Sequence, residues 1–218
     1  MTGIFITFEG TEGGGKSTQI QLLAERLRAA SRSVRVLREP GGTPIGEEIR
    51  HTLKHSEANR AMTSEAELLL MNASRAQLVR EVIRPALAAG EVVLCDRFHD
   101  STTAYQGYGR QLDLERVRMV IDFAVGVTRP DLTLLLEVPV EVSEARRRSR
   151  QAKPVLNEPE RDRMEEADRA FFERVQRGFQ LIAAAEPGRV RVIDATQSIE
   201  QVSERIWVTV SPLVARLA

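Results

Sequence analysis

Two rhythms of apolar and polar positions alternate along the chain. Short apolar runs at Ile4 to Phe8, Val34 to Leu37, Val92 to Cys95, Leu132 to Val138 and Val190 to Ile193 read as five strands. Between the first two, Ser17 to Ala30 repeats Ile20, Leu23, Ala24 and Leu27 at the spacing of one helix face. Ser64 with Glu67 has the form of a capping box ahead of a long helix running to about Ala89, where Gly90 can end it. Ser198 with Gln201 opens a last helix in the same way, with Ile199, Val202, Ile206 and Val210 on one face. Strands alternating with helices predict an α/β fold with a mainly parallel sheet.

Two stretches break this rhythm. Arg38 to Gly46, REPGGTPIG, is too rich in glycine and proline for helix or strand, and by following the second strand it should lie on the ligand side of the sheet. Ser149 to Arg163 is polar, holds two prolines and is flanked by helical patterns. It reads as a mobile lid over a site or as a disordered surface insertion.

Composition narrows the picture. At 218 residues and 42% hydrophobic, the chain can bury one good-sized core, and no stretch looks like a linker, so a single domain over residues 1–218 is expected. Acidic and basic residues balance at 31 each, leaving no global field to attract nucleic acid or an anionic membrane. The aromatics, Trp207, Tyr105, Tyr108 and the phenylalanines, are not interleaved with a basic patch, so no nucleic-acid partner is expected. The lone Cys95 excludes an intrachain disulfide and a thiolate metal cluster and fits a reducing cytoplasm. The N-terminus enters a strand directly, without a basic segment or long apolar stretch, so neither secretion nor membrane spanning is expected.

The first strand runs into Gly10-Thr11-Glu12-Gly13-Gly14-Gly15-Lys16-Ser17, which fits G-x-x-x-x-G-K-[ST]. Glycines can turn a row of backbone N–H groups toward one anion. Lys16 adds a point charge for the outer phosphates, Ser17 a hydroxyl ligand for Mg²⁺, and the helix that follows, with Thr18 in its first turn, its positive end. These donors converge on a nucleoside triphosphate tail. The third strand delivers Asp96-Arg97-Phe98 at its carboxyl end, where an acidic residue can orient a water on Mg²⁺ and an arginine can grip a second phosphate. Beyond it, Asp100-Ser101-Thr102-Thr103-Ala104-Tyr105-Gln106-Gly107 sets small polar groups and one aromatic where they can contact a nucleoside.

REPGGT, ELLLMNASRAQ, DRFHDSTTAYQG and a late DRMEEADRAFFERV, in this order behind a phosphate loop, resemble the thymidylate kinase family over nearly the whole chain. The resemblance implies ATP-dependent phosphorylation of thymidine monophosphate to the diphosphate by a Mg²⁺-requiring homodimer of the nucleoside monophosphate kinase fold. It implies that Gly10 to Ser17 hold ATP and that Arg50 and Arg97 hold the acceptor phosphate. Arg75 would bond the thymine carbonyl, Ser101 and Gln106 would lie near the base, and Tyr105 would stand where a ribose 2′-hydroxyl would clash. Glu9 falls where the family has an acidic residue near the acceptor phosphate and metal; it could tune Arg97 or help place Mg²⁺, or simply end the strand with a solvated charge. The loop itself has no arginine, so the compensating charge should come from the lid: Arg150 or Arg163, with Arg146 as an outside choice.

The chemistry agrees. A nucleoside monophosphate already offers an anionic oxygen, so the motifs need arginines and a lysine rather than a histidine base, and His51, His55 and His99 read as surface or structural. Two positions depart from the family pattern. Met71 stands where the family has a phenylalanine stacked on thymine; a thioether packs on an aromatic face for about 0.3–1.5 kcal/mol but orients it less well. Leu70 or Phe98 could line the base instead. The lid is also longer than usual, and Glu137 stands where Asp is common, with a structural role expected. The competing readings are a kinase of another nucleoside monophosphate and a nucleotide-binding paralogue that no longer transfers phosphate.

Overall fold

A computed structural model of the chain describes residues 3–151 and 168–217. In chain order the elements are β1 (Ile4–Glu9), α1 (Lys16–Ala29), β2 (Val34–Arg38), α2 (Pro44–Lys54), α3 (Ser64–Leu78), α4 (Arg84–Ala88), β3 (Val92–Asp96), α5 (His99–Thr102), α6 (Leu114–Val125), β4 (Leu132–Glu137), α7 (Val140–Gln151), α8 (Arg169–Ala185), β5 (Val190–Asp194) and α9 (Ile199–Val214). The five strands pair in parallel in the order β2-β3-β1-β4-β5. Phe8 and Arg38 each stand opposite Asp96, and Glu9 opposite Leu135, so the strand carboxyl ends form one rim with β1 at its centre. Ligands bind beyond such a rim, where crossovers leave a central strand in opposite directions.

Alternation along β1 fixes the layers. Ile4, Ile6 and Phe8 point to a core shared with Ile20, Leu23 and Leu27 of α1 and with Val202, Ile206 and Val210 of α9. Phe5 points the other way, into a core with Leu78, Ile83, Phe98, Val117 and Ile121. A third cluster joins Tyr105 to Phe171, Val175 and Phe179 of α8, so α8 backs the segment carrying the nucleoside-contacting residues. Each large side chain buried this way contributes roughly 1.5–3 kcal/mol. Among the described residues no helix is long and apolar enough to cross a membrane.

The expected elements form, with local corrections. Four strands extend one residue further, to Glu9, Arg38, Asp96 and Asp194, and β4 stops one short, at Glu137. The box at Ser198 and Gln201 is present. The one at Ser64 and Glu67 is not: Thr63 caps α3 by accepting from the Ala66 N–H at 3.2 Å, while Glu67 is drawn into a buried contact with Gln106 and Arg110. The long helix is also interrupted by a π-helical turn at Val79–Ile83. Pro85 has no N–H to continue the i to i−4 ladder, and the turn absorbs the loss before α4 resumes. Gly90, at φ 79°, ends it as expected. The start of the lid stretch, through Gln151, belongs to α7. Arg163 lies outside the described residues, and of Arg150 only the backbone is described.

Candidate active site

The loop between β1 and α1 needs two of its glycines for different reasons. At Gly10, φ 126°, a Cβ would come within 2.3 Å of the Leu136 carbonyl oxygen. At Gly15, φ 84°, a Cβ would meet nothing within 4 Å, and only the left-handed backbone calls for glycine. Lys16 donates from Nζ to the carbonyls of Gly10 and Thr11, both at 2.9 Å. Burial and the nearby Arg97 pull its ammonium down to about 8, against the opposing pull of Asp96, Glu12 and Glu9. Ser17 Oγ donates to Asp96 Oδ2 at 3.0 Å.

That oxygen pair fits Mg²⁺. Among the described residues no group of three or more His, Cys, Asp or Glu side chains could hold a metal. Mg²⁺ keeps several waters, takes substrate phosphates as ligands and needs only one or two protein oxygens.

Arg97 is the hub. It is a non-glycine residue at φ 68°, a backbone strain of the kind stored at functional sites, and its N–H donates to Phe8 O at 2.9 Å. Nη1 donates to Gly10 O at 3.2 Å and Ser101 Oγ at 3.0 Å, and Nη2 to Glu12 Oε1 at 2.7 Å and Tyr105 Oη at 3.2 Å. The Tyr105 hydroxyl donates in turn to Glu12 Oε2 at 3.1 Å. Burial opposes the Glu12 charge, yet Arg97, Lys16 and Lys54 outweigh it and hold the carboxyl down at about 2.

Glu9 lies behind this hub. Its Oε1 accepts from the N–H groups of Phe98 at 2.8 Å and Ser101 at 3.3 Å, and its Oε2 from the Ser101 hydroxyl at 2.5 Å. Burial and the neighbouring Asp100 push its carboxyl up to about 7. It is fully buried and braces the first turn of α5 and, through Ser101, Arg97. It reaches Arg97 by way of Ser101 and, being buried, does not end the strand as a solvated charge.

Two clefts open on the hub. Met71, Arg75, Arg97, Ser101, Tyr105 and Gln106 line the first, together with Thr102 of the same polar segment, Glu39 of REPGGT, and Lys54, which the sequence did not single out. Met71, not Leu70 or Phe98, is at its wall; Phe98 is fully buried beneath Arg75, whose guanidinium carbon lies 5.4 Å from the ring centroid. Arg75 is held from several sides: by Glu39 Oε2 at 2.8 and 2.6 Å, Asn72 Oδ1 and Thr102 Oγ1 at 2.9 Å, and Phe98 O at 3.1 Å. Glu39 Oε1 is buried without a partner, and burial raises this carboxyl against the pull of Arg75. Gln106 Nε2 donates to Glu67 Oε1 at 2.8 Å, and Arg110 donates to both Glu67 oxygens at 3.2 and 3.1 Å. A carboxylate only accepts, so the amide nitrogen faces Glu67 and the amide oxygen stays available.

The second cleft, about 760 Å³, is bordered by the phosphate loop from Glu12 to Thr18, by Arg50, Asp96 and Arg97, and by Gln197, Ile199 and Val202 at the start of α9. Its size suits a nucleotide. Arg50 donates to Pro40 O at 2.9 Å, and Arg146 clasps Gly13 O and Ala195 O, each at 3.1 Å, across the far side. His51 and His55 are exposed, and His99 is buried against Asp100 at 3.3 Å. Glu137 accepts from Gln180 Nε2 at 2.9 Å, a structural contact.

A phosphate loop at the centre of a five-stranded parallel sheet, with a second cleft beyond a strand-end Asp-Arg pair, is the build of a phosphate-loop nucleoside monophosphate kinase. The family model described as thymidylate kinase matches residues 8–206, and the chain belongs to that family. It is 48% identical over 207 residues to a thymidylate kinase of Syntrophotalea carbinolica, covering 95% of this chain and 94% of that one. It is 50% identical over 206 residues to one of Pseudomonas fluorescens, covering 94% of each. The crystal structure of thymidylate kinase from Ehrlichia chaffeensis superposes with a TM-score of 0.75 at 33% identity, over 97% of this chain and 99% of that one. None of these matches supports a kinase of another base or a non-catalytic paralogue.

Proposed function

We propose that the protein transfers the γ-phosphoryl group of ATP to thymidine monophosphate, giving the diphosphate for dTTP synthesis, as a Mg²⁺-dependent cytoplasmic homodimer. The observation that carries this reading is the junction at Arg97, with the phosphate loop on one side and Met71, Arg75 and Gln106 on the other. The acceptor oxygen is already anionic, so alignment and charge stabilisation suffice. Lys16 leaves the Gly10 and Thr11 carbonyls for the outer phosphates of ATP, while Gly10 to Thr18 cradle the rest. Ser17 and Asp96 would hold Mg²⁺, which when bound would neutralise charge on the outer phosphates. Arg97 and Arg50 grip the acceptor phosphate, with Glu9 holding Arg97 in place through Ser101. Met71 packs on the base face, Arg75 turns one N–H from Thr102 Oγ1 to a thymine carbonyl, and the Gln106 oxygen accepts from the ring N3–H, which cytosine lacks. Tyr105 fills the space beside the sugar C2′. Arg146, Arg150 or Arg163 completes the charge over the phosphates from the lid side.

Exposed apolar side chains on α3 and α6, among them Leu69, Met119 and Phe123, the last 85% exposed, support pairing with a second copy. Cys95 is buried and burial pushes its thiol up, as suits an inert cysteine of a reducing compartment. The test is steady-state kcat/KM with ATP and Mg²⁺ against thymidine, deoxyuridine, uridine, cytidine and guanosine monophosphates. Thymidine monophosphate should be preferred, and Lys16→Ala and Arg97→Ala should each abolish turnover in a folded protein. Preference for another acceptor, or near-normal rates in either variant, would overturn the reading.

A further inference from the structure

The acceptor cleft and the phosphate cleft share three lining residues, Glu12, Lys54 and Arg97. Glu12 and Arg97 are paired with each other at 2.7 Å, and both belong to motifs already accounted for. Lys54 belongs to none. It is the last residue of α2, half-buried, and stands one helical turn beyond Arg50, so the two cations share a face and both border the phosphate cleft. Burial works against an ionised Glu12, and Arg97, Lys16 and Lys54, in that order, offset it. The Lys54 ammonium is thus within electrostatic reach of the carboxylate that marks the boundary between the clefts. A lysine serving only the negative end of α2 could occupy any side of the last turn. This one is on the side where the clefts meet.

We propose that Lys54 contacts the phosphoryl group as it passes between the clefts, a charge supplied by α2 at the point of transfer; this rests on the kinase reading above. An oxygen of the acceptor phosphate forms a bond to the γ-phosphorus while the bond from that phosphorus to the β–γ bridging oxygen breaks. The electron pair of the broken bond leaves on ADP, and no proton moves because the attacking oxygen arrives deprotonated. Negative charge crosses the boundary with the phosphoryl group. A fixed cation at that boundary stabilises the transition state more than either bound nucleotide. A compact ammonium suits a moving group better than a fork made for one planar partner.

The test compares Lys54→Met and Lys54→Arg with the parent enzyme in full kinetic analysis, together with binding of ATP, of thymidine monophosphate, and of a dinucleotide in which adenosine and thymidine are joined by a polyphosphate chain. Removing one preorganised donor should lower kcat about 100-fold in Lys54→Met. The two KM values should stay within about threefold, because ground-state contacts are intact. Lys54→Arg, which keeps the charge but not the compact ammonium, should lose clearly less than Lys54→Met. The joined dinucleotide should lose affinity in Lys54→Met, while ATP and thymidine monophosphate alone bind as before, which also shows that the variant is folded. An unchanged kcat in Lys54→Met, a rise confined to KM for thymidine monophosphate, or equal losses in both variants would overturn the role of Lys54. A parent enzyme that fails to phosphorylate thymidine monophosphate would instead overturn the functional reading.

Discussion

Replacing Gly10 by alanine tests whether the close approach of the phosphate loop to β4 matters beyond backbone freedom. Alanine at φ 126° carries a steric penalty of roughly 1–2 kcal/mol. Its Cβ would also stand 2.3 Å from the Leu136 carbonyl oxygen, a backbone atom that cannot swing aside. Forcing that contact apart adds about 1–3 kcal/mol, and the stiffer unfolded chain returns about 0.4–1 kcal/mol. The sum is a loss of roughly 1–5 kcal/mol. Gly15→Ala is the control: with nothing within 4 Å, only the dihedral penalty applies, and the net loss should be about 1 kcal/mol or less. Urea unfolding of both variants measures the difference. The Gly10 carbonyl also accepts from Lys16 at 2.9 Å and Arg97 at 3.2 Å, so shifting it displaces both cations. Misplacement by about 1 Å costs on the order of 100-fold, so kcat/KM should fall by about that factor at a temperature where the variant is folded. Equal stability losses at the two glycines, with parent-like turnover in Gly10→Ala, would refute the argument.

Glu9 makes stability depend on pH in an identifiable window. Its folded carboxyl sits at about 7 against a reference of 4.5, so its stabilising effect is complete below 4.5 and is lost as pH rises through 7. Between pH 5 and 8 the parent should lose about 2–3 kcal/mol relative to Glu9→Gln in denaturant titrations, and parallel pH profiles would show that Glu9 is not the titrating group. Met71→Phe should sharpen the preference for thymidine over deoxyuridine monophosphate, since a ring fixes the base better than a thioether; an unchanged ratio of kcat/KM values would remove Met71 from the base site.

Legibility in the sequence followed the range of the interaction. The phosphate loop, the Asp96-Arg97 pair and the AYQG segment were readable because each packs its chemistry into a few adjacent residues behind a strand. The capping box at Ser198 was readable for the same reason. The one at Ser64 was misread because Glu67 has a competing partner, Gln106, far along the chain, and a buried amide and guanidinium outweigh a local cap. Met71 could be named as a candidate, but only packing put it, rather than Leu70 or Phe98, at the wall of the first cleft. Glu39 gave a faint signal within REPGGT. Its pairing with Arg75 joins the end of β2 to α3, which no spacing rule reveals.

By itself, then, the sequence determined the fold class and the phosphate-binding end of the site, since strand and helix periodicities and a glycine loop are properties of neighbouring residues. Tertiary structure alone decided that Glu9 reaches Arg97 by way of Ser101, that Glu67 sets the Gln106 amide, and that Lys54 stands where the two clefts meet. Each of these depends on a strand order that places β1 between β3 and β4 and brings the end of α2 over the same rim. Charge, burial and hydrogen-bond supply are set there by segments distant in the chain, and the chemistry of a side chain follows those surroundings.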